Sequence, residues 1–238
     1  MQTRPRFAVQ SMLAILFASV TLIAGCSSSS SEKSADPLPD AATVLEKSTA
    51  TTKAQESVHL LLTVQGKIDG LPVEKLDGDL TNVPEVAAAG TANLMFAGMK
   101  IEDARFTVFN GDLWAAMSAS EPLSNYGAAA KIYDVAAILN PDTGLANVLA
   151  NFSDPKADGR ESINGTEAVR VTGNVSADAV NKIAPQLKAT GPVPGTAWIA
   201  EDEGNTLLQA KLEPTPGNSV TMTLSDWGKP VTVAPPAP

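Results

Sequence analysis

From Ser57 onward, apolar and polar positions alternate mostly with a period of two, in short runs separated by glycine and proline. Side chains two apart share one face of a pleated strand, so the pattern predicts strands over 57–68, 75–81, 90–96, 102–108 and 112–117. They follow one another at about 10 to 15 residues with no helix between them, the rhythm of an antiparallel meander. The firmest register surrounds Asn110-Gly111, a pair that accepts positive φ at both centres of a two-residue type I′ turn. Folding there sets Val108 opposite Leu113, Phe106 opposite Ala115 and Ala104 opposite Met117, all apolar and on one face. Thr107, Arg105 and Asp103 then meet Trp114, Ala116 and Ser118 on the other. A slip of one residue would turn the apolar set outward, so burial and turn geometry agree. Ala92, Leu94 and Phe96 extend the same face on the preceding strand.

Other stretches carry a helical period. Asp40 is placed as an N-cap, followed by Ala41, Val44, Leu45 and Ser48 on one face running to Thr52. A short helix is predicted over 133–139. Asn140-Pro141-Asp142 then supplies a cap, a first-turn proline and a carboxylate near the positive helix end. Leu145, Val148, Leu149 and Phe152 follow at i, i+3, i+4 and i+7. Beyond Gly159 the strand pattern returns. The runs 160–163 and 168–171 flank Asn164-Gly165, but their apolar positions do not match a two-residue turn, which predicts a bulge or a longer loop. Ser176 caps a further helix that Pro185 ends. Strands are predicted over 196–201, 207–213, 220–224 and 231–233. Many strands, few helices and no strand–helix–strand repeat give one α+β domain over 40–233.

The first 25 residues have a different pattern: Arg4 and Arg6, an apolar run from Phe7 to Ile23, then Ile23-Ala24-Gly25-Cys26. A charged start, an apolar stretch below the ~20 residues of a membrane span, and small residues before a cysteine read as a lipoprotein signal peptide. Cleavage before Cys26, the only cysteine, would free its thiol and amino group for acyl chains. Two or more chains anchor stably at about 0.8 kcal/mol per buried methylene. Residues 26–39, with a serine run and Pro37-Leu38-Pro39, read as a tether averaging roughly 20 Å as coil. Residues 234–238 read as a proline-rich tail.

Without residues 1–25, the 17 basic residues become 15 against 26 acidic ones, a net charge of −11. Such a surface is repelled by nucleic acid and by an anionic bilayer, so the acyl anchor must supply the membrane attachment. His59 is the only histidine, which excludes a multi-His or Cys metal site in the domain and leaves a triad only this one base. It sits in Val58-His59-Leu60-Leu61-Leu62 as a strand residue. No Gly-x-Ser-x-Gly elbow, phosphate loop or dinucleotide fingerprint is present. Ser30-Ser31-Glu32-Lys33 lies in the tether. Paired carboxylates remain as a catalytic route, and no spacing singles out a pair. A non-enzyme without cofactor is expected.

The lipobox, the serine-rich tether, the Pro-Leu-Pro-Asp helix start and the run from Leu139 to Phe152 together resemble the mycobacterial LppX/LprAFG lipoprotein family. The closing run from Gly217 to Gly228 is similar to it as well. The resemblance covers nearly all of the mature chain. It implies a strongly curved antiparallel half-barrel with helices on its concave side around an apolar cavity. It implies a membrane-anchored carrier on the outer face of the inner membrane, found also in the cell wall or secreted. The implied cargo is triacylglycerol and triacylated glycolipids (lipoarabinomannan, lipomannan, phosphatidylinositol mannosides), moved outward with a major-facilitator export pump.

Holding a sixteen-carbon chain in water costs on the order of 12 kcal/mol, so such a lipid needs an apolar container. The candidate lining is Ala92, Leu94, Phe96, Ala104, Phe106, Val108, Leu113, Ala115 and Met117 on the sheet, faced by Leu145, Val148, Leu149 and Phe152 from the helix. Taken singly, each of these reads as ordinary core before lipid contact; taken as a set, with the resemblance, they favour a cavity. The loop 118–131 reads as a lid or as an ordinary surface loop, and Lys100, Arg105 and Lys131 read as solvated surface residues before head-group contacts. Two other readings stand beside the carrier: an envelope scaffold without a cavity, and a carboxylate-dependent glycan hydrolase.

Overall fold

The structure is a computed structural model that describes residues 36–96, 98–118 and 120–234. The expected signal peptide, the expected acylation site Cys26, most of the expected tether and nearly all of the expected tail lie outside the described residues. From Pro37 the chain forms one compact unit.

Eleven strands make one antiparallel sheet that is not closed, in the order β6-β5-β4-β3-β2-β1-β11-β10-β9-β8-β7. The first meander runs outward through β1 (Ser57–Gln65), β2 (Val73–Thr81), β3 (Ala87–Phe96), β4 (Met99–Phe109), β5 (Asp112–Ala116) and β6 (Ser124–Ala128). The second runs inward through β7 (Phe152–Ile163), β8 (Thr166–Val175), β9 (Val193–Ala200), β10 (Leu207–Thr215) and β11 (Asn218–Ser225). Pairing of β11 with β1, Leu60 opposite Leu224 and Leu62 opposite Met222, joins the two halves. Each meander needs only local hairpins, and the chain crosses from edge strand β6 to edge strand β7 once.

That crossing holds 3₁₀ turns at Ala129–Lys131 and Val135–Ile138, then helix α2 (Leu145–Ala150). Helix α1 (Ala41–Lys53) precedes the sheet, and α3 (Ala177–Ile183) with a 3₁₀ turn at Pro185–Leu187 lies between β8 and β9. Asp40 caps α1, its Oδ1 accepting from the Thr43 backbone N–H at 2.8 Å. That bond, and a second from the Thr43 hydroxyl, hold the Asp40 carboxyl below its ordinary pKa. Ser176 caps α3 in the same way, its Oγ 3.3 Å from the Ala179 N–H.

The Asn110-Gly111 register stands: Val108 pairs with Leu113, Phe106 with Ala115, and both turn residues have positive φ. Strand β5 ends at Ala116, so Met117 has no ladder partner opposite Ala104. Other expectations differ, and the helix expected over 133–139 is only a 3₁₀ turn at Val135–Ile138. Asn164-Gly165 is a two-residue turn after all, with Ile163 paired to Thr166 and an unshifted ladder as far as Gly159–Arg170; the nearest bulge lies further out, between Ala157 and Gly159. The segment 118–131 contains the edge strand β6 and a 3₁₀ turn, which its alanines and lone Tyr126 did not signal. Asn140 caps a turn, its Oδ1 accepting from the Asp142 and Thr143 N–H groups, but α2 starts only after Gly144. A Cβ on Gly144 would meet the Ile138 and Ala137 carbonyls at 2.3 and 2.4 Å, so the chain is pressed flat there before the helix begins. Residues 231–233 are not a strand: β1 and β11 are each already paired on both sides.

Candidate functional site

One apolar face runs across strands β1 to β5. Leu60 pairs with Gly78, Gly78 with Gly90, Gly90 with Phe106 and Phe106 with Ala115, a row through five strands. The next row runs Leu62, Leu76, Ala92, Ala104. The register thus places small residues (Gly78, Gly90, Ala88, Ala92) in the middle of this face, flanked by leucines. Over it pass the crossing segment and the end of α3, and their buried residues form one apolar cluster with the sheet.

That cluster leaves a pocket of about 370 Å³. Leu60, Leu62, Leu76, Leu80, Ala88 and Phe106 form its sheet side. Ile132, Tyr133, Val135 and Ile138 cover it from the crossing segment, and Ile183, Ala184 and Leu187 from the α3 end. Leu71, Pro72 and Val73 close the side at the start of β2. Two glycines, Gly78 in its wall and Gly90 beside it, let the strands beneath it pack closely. A Cβ on Gly90 would lie 2.1 Å from the Asp77 carbonyl oxygen, and one on Gly78 2.6 Å from that of Ala89. The strands therefore approach more closely there than any side chain allows, and no side chain projects into the space from either position.

The pocket has little polar chemistry. Its one formally charged wall residue, Asp79, gives its carboxylate to His59 Nδ1 at 2.9 Å. His59 alternates with Leu60 and so belongs to the opposite face, with Asp77 at 3.4 Å from Nε2 as its second partner. The histidine is a paired sheet residue, as its strand setting predicts. Tyr133 ties the two covering segments together: its hydroxyl donates to the Ile183 carbonyl at 2.8 Å. Burial, and then the charge of Asp134, push the phenol well above its ordinary pKa, so it stays a neutral donor.

Of the residues singled out by the sequence, Phe106 lines the pocket. Ala92, Ala104, Val108, Leu113 and Ala115 share its sheet face, by register, without lining it. Leu94 lies on β3 beyond a register shift, Phe96 closes β3, and Met117 lies past the end of β5. Leu145, Val148 and Leu149 are buried on α2, which packs mainly on α1 and also on α3. Phe152 is not on the helix. It opens β7 opposite Val175, and its ring covers the Gly173–Gly195 pair, where an added Cβ would meet it at 3.0 Å. The described residues of the segment 118–131 supply no pocket wall. Among the lining residues missed, the leucines of β1 and β2 (Leu60, Leu62, Leu76, Leu80) alternate in sequence, and the extension that would have found them runs through Gly90 and Gly78, which carry no hydrophobic signal; the walls at 132–138 and 183–187 follow no strand alternation.

The model of a family described as LppX_LprAFG lipoprotein matches residues 40–233. A Mycolicibacterium smegmatis protein named lipoarabinomannan carrier protein LprG is 75% identical over 237 residues, covering 100% of both chains. Its Mycobacterium tuberculosis namesake is 52% identical over 225 residues, covering 94% of each. Among solved structures, LprF from Mycobacterium bovis superposes with a TM-score of 0.76 at 32% identity, over 85% of this chain and 99% of its own. Lipoprotein LppX from M. tuberculosis gives 0.62 at 25%, over 81% and 97%.

Proposed function

The chain belongs to the LppX_LprAFG lipoprotein family, and we propose that it carries acylated glycolipids, their hydrocarbon chains held in the pocket between sheet and crossing segment. The observation that carries this reading is an apolar space of about 370 Å³ walled almost wholly by hydrocarbon, in a chain 75% identical to a protein named as a lipoarabinomannan carrier. Pockets of ~300–1,000 Å³ with few polar groups suit small apolar ligands. At about 370 Å³ the space lies near the small end of that range, which we take as room for one acyl chain. Cargo with three chains then requires the segments at 132–138 and 183–187 to draw away from the sheet. In this reading the sheet is the curved half-barrel of the family, with helices on its concave side. The chain is held at the membrane by acyl groups on Cys26. Ala92, Leu94, Ala104, Val108 and Ala115 come into contact with cargo as the pocket widens. Triacylglycerol, phosphatidylinositol mannosides and an export pump in the inner membrane belong to the same proposal. No catalytic step is assigned.

Ala88 tests it. This residue is buried on β3 and lines the pocket, so Ala88→Trp fills the space. Uptake of a triacylated glycolipid should fall by about tenfold or more, a loss of roughly 1.4 kcal/mol or more, while the melting temperature stays near that of the wild type. A scaffold with a conventionally filled core would instead lose about 1–3 kcal/mol of stability to overpacking, and show no lipid uptake to lose.

A further inference from the structure

A second space adjoins the pocket and differs from it in chemistry. It is a cleft of about 640 Å³ at the ends of the central strands, built from Lys67–Asp69 of the β1–β2 loop, the stretch 187–193 after α3, and the β10–β11 turn. Leu187 lines both spaces. On one side of it Gly70 and Gln186 belong to the pocket wall; on the other Asp69 and Lys188 belong to the cleft. A molecule with apolar chains and a polar head could occupy both, its junction lying at Leu187.

The cleft is held open by two asparagines. Asn218 Oδ1 accepts from the Lys67 backbone N–H at 2.9 Å, and its Nδ2 donates to Thr215 Oγ1 at 2.8 Å, which clamps two of the three segments to each other. Gly66, at φ +75°, lets this happen: a Cβ there would lie 2.0 Å from Asn218 Oδ1. Asn181 clamps the third, accepting from the Ala189 N–H at 2.7 Å and donating to the Ala189 carbonyl at 2.8 Å. Such a site needs little ordering when a ligand arrives. Its charge runs against that of the whole chain. Two lysines face one aspartate, in a sequence with 26 acidic and 17 basic residues. Lys67 reaches Asp69 only at 3.9 Å with both nearly fully exposed, and the Lys188 ammonium has no ion pair among the described residues. Thr190 and Thr215 add hydroxyls, while Pro192 and Pro214 add flat apolar edges.

We propose that this cleft binds the head of the cargo lipid, a hydroxyl-rich head bearing negative charge, while the chains occupy the neighbouring pocket. The inference rests on the carrier reading and gives it a head-group selectivity. The two lysines supply charge-assisted hydrogen bonds, the prolines and threonines a surface for a polyhydroxylated ring.

The test compares two probes with identical acyl chains, phosphatidylinositol and diacylglycerol, binding to the full chain purified in detergent. Both lysines are exposed, and asparagine tolerates the left-handed backbone of Lys188 (φ +47°), so Lys67→Gln/Lys188→Asn should fold normally. Wild-type protein should prefer phosphatidylinositol, and the double variant should lose about tenfold or more of that affinity while holding diacylglycerol as before. Equal loss for both probes, or no loss for either, overturns the head-group assignment. Displacement of phosphatidylinositol by chain-free inositol phosphate at equal concentration would give the cleft to a free phosphate and overturn it too. Wild-type protein that takes up neither lipid would sink the carrier reading itself.

Discussion

Tyr133 shows how one residue can serve both the wall of a site and its stability. Its ring lines the pocket and its hydroxyl reaches Ile183, so it joins the two segments that cover the sheet. Tyr133→Phe keeps the apolar wall and removes the bond, leaving the Ile183 carbonyl without that donor. A loss of about 1 kcal/mol is expected, read as a lower denaturation midpoint at unchanged slope. The raised pKa adds a signature. The folded state keeps the proton that the unfolded chain releases near pH ~10, so this contribution is intact below that pH and lost as pH rises beyond it. The variant should show a smaller alkaline loss of stability than the wild type. An identical alkaline profile would mean that the phenol is not held neutral by burial.

Among the elements, β2 and β3 decide whether there is a pocket at all. Gly90→Ala places a Cβ against the Asp77 carbonyl at 2.1 Å and Gly78 Cα at 2.6 Å, so the two strands must separate. The cost should be at least the ~1–3 kcal/mol of an overpacked core. Gly159 on β7 makes the control: its added Cβ would meet only the Arg170 guanidinium, at 3.6 Å, and Gly159→Ala should be neutral or slightly stabilising. Urea unfolding of the pair measures the contrast, and equal effects would refute the close-approach explanation. These glycines also explain what the sequence concealed. Strand periodicity, the Asn110-Gly111 hairpin and the caps at Asp40 and Ser176 were legible because each depends on neighbours in the chain. The pocket depends on register between distant strands and on the absence of side chains at Gly78 and Gly90, which no hydrophobic pattern records. Phe152 misled for a related reason. Its i+7 spacing continues the α2 stripe, but pairing with Val175 and the bare Gly173–Gly195 surface draw it into β7. Residues 140–144 failed to join the helix because Gly144 lies against carbonyls of the preceding turn, a contact set by the crossing rather than by local propensity.

For the whole molecule, two meanders meet at β1 and β11, and the single crossing from β6 to β7 roofs the joined face. The same topology separates the domain's two ends. Pro37 lies at one end of the strands, its carbonyl accepting from Arg160 at 3.2 Å beside the Arg160–Glu201 pair. The polar cleft lies at the other, about 30 Å away at ~3.3 Å per strand residue. A chain anchored through Cys26 would thus present the head-group end away from its own attachment point, an arrangement suited to handing cargo on. All of this turns on whether the pocket holds lipid. The most direct measurement is mass spectrometry of the protein purified from a mycobacterial membrane, run natively and after solvent extraction. A carrier should retain acylated lipid at near one molecule per chain, counted separately from covalently attached acyl groups, and Ala88→Trp should lose it. Protein that emerges free of exchangeable lipid, and takes up none when offered triacylated glycolipid, would contradict the proposed function.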